Sequence, residues 1–171
     1  MLNIYIKDEF FYIKSIDKTS IRKIYSIYRN SNDFKYATGI FQPIEYTQFS
    51  NNISQFIQRE NVFFLDIRLY TGETIGIIKG IVIDKDSIVW INSLIIDTPY
   101  QSKGFGKKVI KLLEDYFKQI CLSKRIYLSV FKNNVSGINF WLRCGFNECD
   151  DLPEKENPGL NETVQIMCKL L

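Results

Sequence analysis

A chain of 171 residues is long enough for one domain with a sizeable core and short for two. With 46% hydrophobic and 24% charged residues it has an ordinary globular composition, and 22 Lys and Arg against 19 Asp and Glu leave a net charge of +3, too small to point to nucleic acid. There is no histidine, so Ser-His and Cys-His nucleophilic machinery and a Cys/His zinc site are excluded, and Cys121, Cys144, Cys149 and Cys168 form no C-x-x-C pair.

The elements follow from periodicity. Residues 10–16 read as a strand, and Asp17 or Thr19 caps a helix running to 30 with Ile21, Ile24, Tyr25 and Tyr28 on one face. A loop is expected over 31–43, then a helix over 46–59 with Phe49, Ile53, Phe56 and Ile57 along one side. Residues 62–70 alternate as a strand that puts Asp66 and Arg68 opposite an apolar face, and Thr71-Gly72-Glu73 turns the chain into a second strand over 74–83. After a turn at 84–87, residues 88–96 form a nearly continuous apolar, central strand. The spacing predicts a helix over 107–119 and a strand over 125–130, which places the last two strands parallel across a crossover. A short helix over 134–143 ends at Gly145, a strand follows over 146–149, and a charged loop over 150–162 leads to a final strand over 163–170.

The stretch Gln101-Ser102-Lys103-Gly104-Phe105-Gly106 joins the central strand to the helix after it. Without β-carbons at Gly104 and Gly106 the backbone can approach an anion, and the unpaired N–H groups of the first helical turn point at it. Lys107 and Lys108 sit in that turn, where the helix dipole disfavours cations by about 0.3–1 kcal/mol each, so an anion is expected to offset them. Neither a G-x-x-x-x-G-K-[ST] loop nor a G-x-G-x-x-G fingerprint occurs at this turn, so a phosphorylated cofactor of another kind is indicated.

This order of elements resembles the GNAT superfamily of acyl-CoA-dependent N-acetyltransferases. Leu94-Ile95-Ile96 followed by residues 101–106 is similar to the family's strand and R/Q-x-x-G-x-G/A pyrophosphate loop. Val130, Asn134 and Phe140-Trp141-Leu142-Arg143-Cys144-Gly145-Phe146 match the spacing of its V-x-x-x-N-x-x-A-x-x-L-Y-x-x-x-G-F segment. The resemblance implies a single α/β (α+β) domain over 1–171, with a mixed, mostly antiparallel sheet of about six to seven strands, about four helices and one parallel strand pair at the cofactor site.

It further implies acetyl-CoA as cofactor and direct transfer of the acetyl group to a primary amine on a small molecule or peptide. Gln101, Ser102, Lys103, Gly104, Phe105, Gly106 and Lys107 would hold the pyrophosphate, Leu94 and Ile96 the pantetheine arm, and Asn134 would contact the cofactor or cap its helix. Gln101 stands where arginine is common, and Lys103, Lys107 and Lys108 supply charge instead. Trp141 stands where many members carry a tyrosine that protonates the departing thiolate, which leaves Ser129, Tyr127 or water for that role. Asp66, Glu45 and Glu73 are candidates for the base, and Asp150, Asp151, Glu154 and Glu156 would flank the acceptor groove or remain a solvated loop. The alternative is an acyl-CoA-binding sensor of the same fold that transfers nothing. No run reaches the roughly 18 apolar residues of a membrane helix and no signal pattern precedes Phe10, so a cytoplasmic monomer or homodimer is expected, with no metal, membrane or nucleic-acid partner.

Overall fold

The computed structural model describes residues 1–17, 19–29, 31–39, 41–83, 87–149 and 163–171, without the side chains of 29 and 31–33. The expected acidic loop over 150–162, with Asp150, Asp151, Glu154 and Glu156, and most of the expected turn at 84–87 lie outside the described residues.

Eight strands make one sheet in the order β1-β2-β3-β4-β5-β6-β8-β7. They are β1 (Tyr5–Lys7), β2 (Phe11–Ser15), β3 (Val62–Leu69), β4 (Thr74–Ile83), β5 (Ile88–Ile96), β6 (Arg125–Phe131), β7 (Asn147–Glu148) and β8 (Val164–Leu170). All pairings are antiparallel except β5 with β6. Among the described residues the helices are α1 (Ser20–Arg29), α2 (Ser31–Thr38), α3 (Tyr46–Ile57), α4 (Phe105–Gln119) and α5 (Val135–Arg143), with a 3-10 turn at Thr98–Tyr100.

The apolar stripes decide which face each helix covers. Val109, Ile110, Leu113 and Phe117 of α4 and Trp141 of α5 pack with Phe63, Leu65 and Ile67 of β3 in the larger core. Ile21, Ile24, Ile27 and Tyr28 of α1, Phe34 of α2 and Phe49 and Ile53 of α3 pack with Phe64, Ile77 and Ile95 on the other face. Because both faces are covered, β3 does not alternate between core and solvent as expected. Asp66 is fully buried and pairs with Arg68.

Two elements depart from the sequence reading. Residues 31–38, expected as loop, form α2, because Phe34 (4% exposed) anchors this short stretch in the second core. Eight residues are too few for a periodicity to stand out. The three-residue strand β1 pairs with β2 over Tyr5–Lys7, which makes the sheet one strand wider than the upper end of the expectation. Elsewhere the caps are where the residue types place them. Asp17 Oδ1 accepts from the Thr19 hydroxyl and from the N–H groups of Thr19 and Ser20, and the Thr19 hydroxyl, with Lys14 beside it, holds the carboxyl well below its ordinary pKa. Gly145, at φ +87°, ends α5.

One ion pair ties the last strand to two helices. Lys169 Nζ of β8 donates to Glu114 Oε1 of α4 at 2.7 Å and to the Cys144 carbonyl past the end of α5 at 2.8 Å. Glu114 is 7% exposed, so removing its partner strands a buried charge and an orphaned carbonyl. Lys169→Met is therefore expected to destabilise the protein by roughly 2–4 kcal/mol in urea unfolding, the lower end reflecting the partial exposure of Lys169.

Candidate functional site

The register of the central strands opens a cleft. β5 and β6 pair only from Ile88↔Arg125 to Ile91↔Leu128, although β5 runs on to Ile96 and β6 to Phe131. Across β4 the pairing steps from Gly80↔Ile91 to Lys79↔Ser93, so Asn92 bulges out of the ladder at the point where the two strands part. Past that point the main-chain groups on the inner edges of β5 and β6 have no strand partner on that side and face each other across the gap.

The gap continues as a groove of about 800 Å³. Asn92, Ser93, Leu94 and Ile96 form one wall and Leu128, Ser129 and Val130 the other. Phe34, Tyr36 and Ala37 of α2 close one end. At the opposite end lie Tyr100, Gln101, Ser102, Gly104, Phe105, Gly106 and Lys107, with Asn134, Ser136, Gly137, Phe140, Trp141, Arg143 and Cys144 of the α5 region beside them.

The loop has the form its glycines predict. Ser102 at φ +58° and Gly104 at φ +85° turn the backbone through the left-handed region, and helix α4 starts at Phe105, two residues before the expected Lys107. Gly104 is the N-cap and carries no capping side chain, so the first N–H groups of α4 remain available. A Cβ at Gly104 would meet nothing within 4 Å, which leaves the space in front of those groups open. Gly106 instead lets α5 approach, since a Cβ there would lie 3.0 Å from Phe140 Cε2.

The predicted site residues divide between groove and surroundings. Leu94, Ile96, Gln101, Ser102, Gly104, Phe105, Gly106, Lys107, Asn134, Trp141 and Ser129 all line the groove. Gln101 spends an amide N–H on the Ile96 carbonyl at 2.9 Å, so it fixes the loop to the strand end. Asn134 Oδ1 accepts from Gly137 N–H at 3.0 Å, capping α5 from within the wall. Trp141, 8% exposed, packs edge-on against Phe140 and Phe146. Lys103 lies over the Tyr100 ring at 5.6 Å and faces a separate, smaller cavity of about 370 Å³. Lys108 sits 4.5 Å over the Phe10 ring with Asp8 at 3.7 Å, directed to the β1–β2 turn.

Asp66 is not brought to the groove, and neither are Glu45, Glu73 and Tyr127. Glu73 does accept from the Tyr100 hydroxyl, which raises the Tyr100 pKa. The sequence reading missed Phe34, Tyr36 and Ala37, because they belong to the helix it read as loop, and Asn92, whose role comes from register alone.

The comparisons with known proteins agree with this arrangement. The profile of the acetyltransferase (GNAT) family matches residues 21–146. Over 63 residues the chain is 43% identical to the spermine/spermidine N(1)-acetyltransferase of Bacillus subtilis strain 168 and to a probable spermine N(1)-acetyltransferase of Bacillus subtilis subsp. natto. Those matches span 37% of this chain and 41% of each relative's length. Among solved structures, a spermidine N-acetyltransferase from Vibrio cholerae in complex with CoA and spermine superposes with a TM-score of 0.78 at 20% identity, covering 95% of this chain and 96% of that one. A dodecameric structure of spermidine N-acetyltransferase from the same organism gives 0.71 at 20% identity, with 95% of each chain covered. With two motifs in order, strands parted beside a helix start whose N–H groups lack a capping side chain, and a family match over most of its length, the chain belongs to the GNAT acetyltransferase family.

Proposed function

We propose that this chain is an acetyl-CoA-dependent N-acetyltransferase that acts, as a single domain, on the primary amine of a small molecule, with polyamines as the acceptor class. The observation that carries this reading is the continuous path from the parted strands to the open cradle at Gly104. The polyamine class rests on the named activities of the Bacillus subtilis and Vibrio cholerae relatives.

Acetyl-CoA, when bound, supplies a thioester carbonyl open to attack. The residues present fit it. The N–H groups from Ser102 to Lys107 and the Lys107 ammonium suit a pyrophosphate. The unpaired edge of β5 at Leu94 and Ile96 offers main-chain groups to the amide-bearing arm, and Asn134 and Trp141 flank it. Main-chain N–H groups around the Asn92 bulge are suited to polarising the carbonyl, and the exposed Ser129 hydroxyl on the facing strand is suited to donating to the departing sulfur. None of the four cysteines is in a disulfide and no described helix is long and apolar enough to cross a membrane, and the reading places the chain in the reducing cytoplasm.

Trp141 bears on the leaving group. An indole N–H is no acid, yet a thiol of pKa about 8.5 leaves readily without one near neutral pH. Trp141→Tyr is therefore expected to change kcat/KM by less than about threefold, whereas a gain of about tenfold would show that thiolate protonation limits the rate.

A second reading, a domain that binds acyl-CoA without transferring its acyl group, is favoured by Trp141 and by the lack of a carboxylate among the described groove residues. Incubation with acetyl-CoA and a panel of spermine, spermidine, lysine and aromatic amines separates the two. Transfer gives free thiol in step with acetylated amine seen by mass spectrometry. Binding without thiol release from any amine leaves the second reading.

A further inference from the structure

The groove carries a charge pattern that the reading above uses only in part. Its charged lining residues, among those described, are Lys107 and Arg143, both cations. Both are exposed, and neither has a carboxylate or ring partner among the described residues. The neighbouring cations differ. Lys108 pairs with Asp8, Lys111 with Asp115 and Lys169 with Glu114, while Lys103 lies over the Tyr100 ring and faces the smaller cavity.

Helix spacing puts Arg143 on the groove. Ser136, Phe140 and Arg143 recur at i, i+4 and i+7 along α5, which is one helix face, and all three line the groove. Phe140 brings that face against the first turn of α4, where a Cβ at Gly106 would lie 3.0 Å from its ring. Arg143 is one turn further along α5 than Phe140, and Lys107 follows Gly106, so the two cations stand on two helices that meet at this contact. The Cys144 thiol reports the same placement: burial raises its pKa and Glu114 adds to that, while Lys169, Lys107 and Arg143 all oppose it. The helix dipole favours a cation in the last turn of α5 on any face, so it does not explain why this one lines the groove.

We propose that Arg143 binds the 3′-phosphate on the ribose of acetyl-CoA, and so selects acyl donors that carry this phosphomonoester. This rests on the acetyl-transfer reading and deepens it on the donor side. Acetyl-CoA brings two separate anionic groups to the groove. Its pyrophosphate falls to the N–H groups that start α4 and to the Lys107 ammonium. Its phosphomonoester carries about −1.5 to −2 charge at neutral pH with three acceptor oxygens, and calls for a second cation. A guanidinium matches it, since the planar fork gives two parallel N–H donors to two phosphate oxygens. Exposed and unpaired, Arg143 gives up no partner when the phosphate arrives and strands no buried charge when it leaves. An acyl donor that lacks the 3′-phosphate offers Arg143 nothing to hold.

The test is calorimetric titration of CoA and of 3′-dephospho-CoA into the wild type, into Arg143→Met and into a double variant with Lys103→Met and Lys108→Met, with thermal midpoints measured alongside. The wild type is expected to prefer CoA about 30-fold, the worth of hydrogen bonds between charged partners. Arg143→Met should bind CoA about 30-fold more weakly, bind 3′-dephospho-CoA as the wild type does, and so lose the preference. Its midpoint should not move, because the side chain is exposed. The double variant, altered at the smaller cavity, should keep the wild-type preference. Retention of the preference in Arg143→Met, or its loss in the double variant, overturns the assignment. A wild type that binds both ligands equally overturns the inference and leaves the acetyl-transfer reading standing. One that binds neither overturns both.

Discussion

Gly104→Val is expected to lower affinity for acetyl-CoA by about 100-fold, a loss of about 2.7 kcal/mol, while the protein stays folded. Two effects converge on this position. Gly104 sits at φ +85°, where a β-branched residue is strained by about 1–2 kcal/mol, and relaxing that strain rotates the N–H groups that start α4 away from the groove. A valine that holds the conformation instead projects into the space in front of those groups, where nothing lies within 4 Å of a Cβ. Either way the anion loses its donors. Calorimetric titration reads the affinity, and a thermal melt checks that the fold survives. Unchanged affinity in a folded variant would mean that the cradle holds no part of the cofactor.

The largest expected loss of stability is at Gly80. A Cβ there would lie 2.2 Å from the Trp90 carbonyl oxygen and 2.4 Å from Phe63 Cζ. The first of these atoms is backbone and the second belongs to a fully buried ring that packs on Phe117. Neither can move without separating β4 from β5 or opening the larger core, so Gly80→Ala is expected to destabilise the protein by about 3 kcal/mol or more in urea unfolding. Gly80 also pairs with Ile91, the last residue before the Asn92 bulge. Displacing it moves the point where β5 leaves β6, and the fraction that remains folded should bind acetyl-CoA more weakly than the wild type.

Much of this arrangement was legible in the amino-acid sequence because it depends on local chemistry. Gly104 and Gly106 after an apolar strand, Asn134 before a helix and Gly145 after it are punctuation with physical meaning, and each stands where its residue type predicts. What escaped depends on long-range pairing. Whether Asp66 faces solvent or core is decided by α1 to α3 covering its face, and no alternation within β3 records that. The bulge at Asn92 arises from a one-residue slip against β4, and the residue itself is an ordinary asparagine in an apolar run. Helix α2 is held by Phe34 in the second core, a single anchor too small to form a stripe.

The central claim is that the parted strands and the Gly104 loop together hold the cofactor. It is tested most directly by following backbone amide signals in two-dimensional NMR as CoA is added to the isotopically labelled wild type. The predicted result is a continuous set of shifts at Asn92, Leu94 and Ile96, from Ser102 to Lys107, and at Ser129 and Asn134, with β1 and α3 unmoved. Shifts confined to another surface, or none at saturating CoA, would contradict the account.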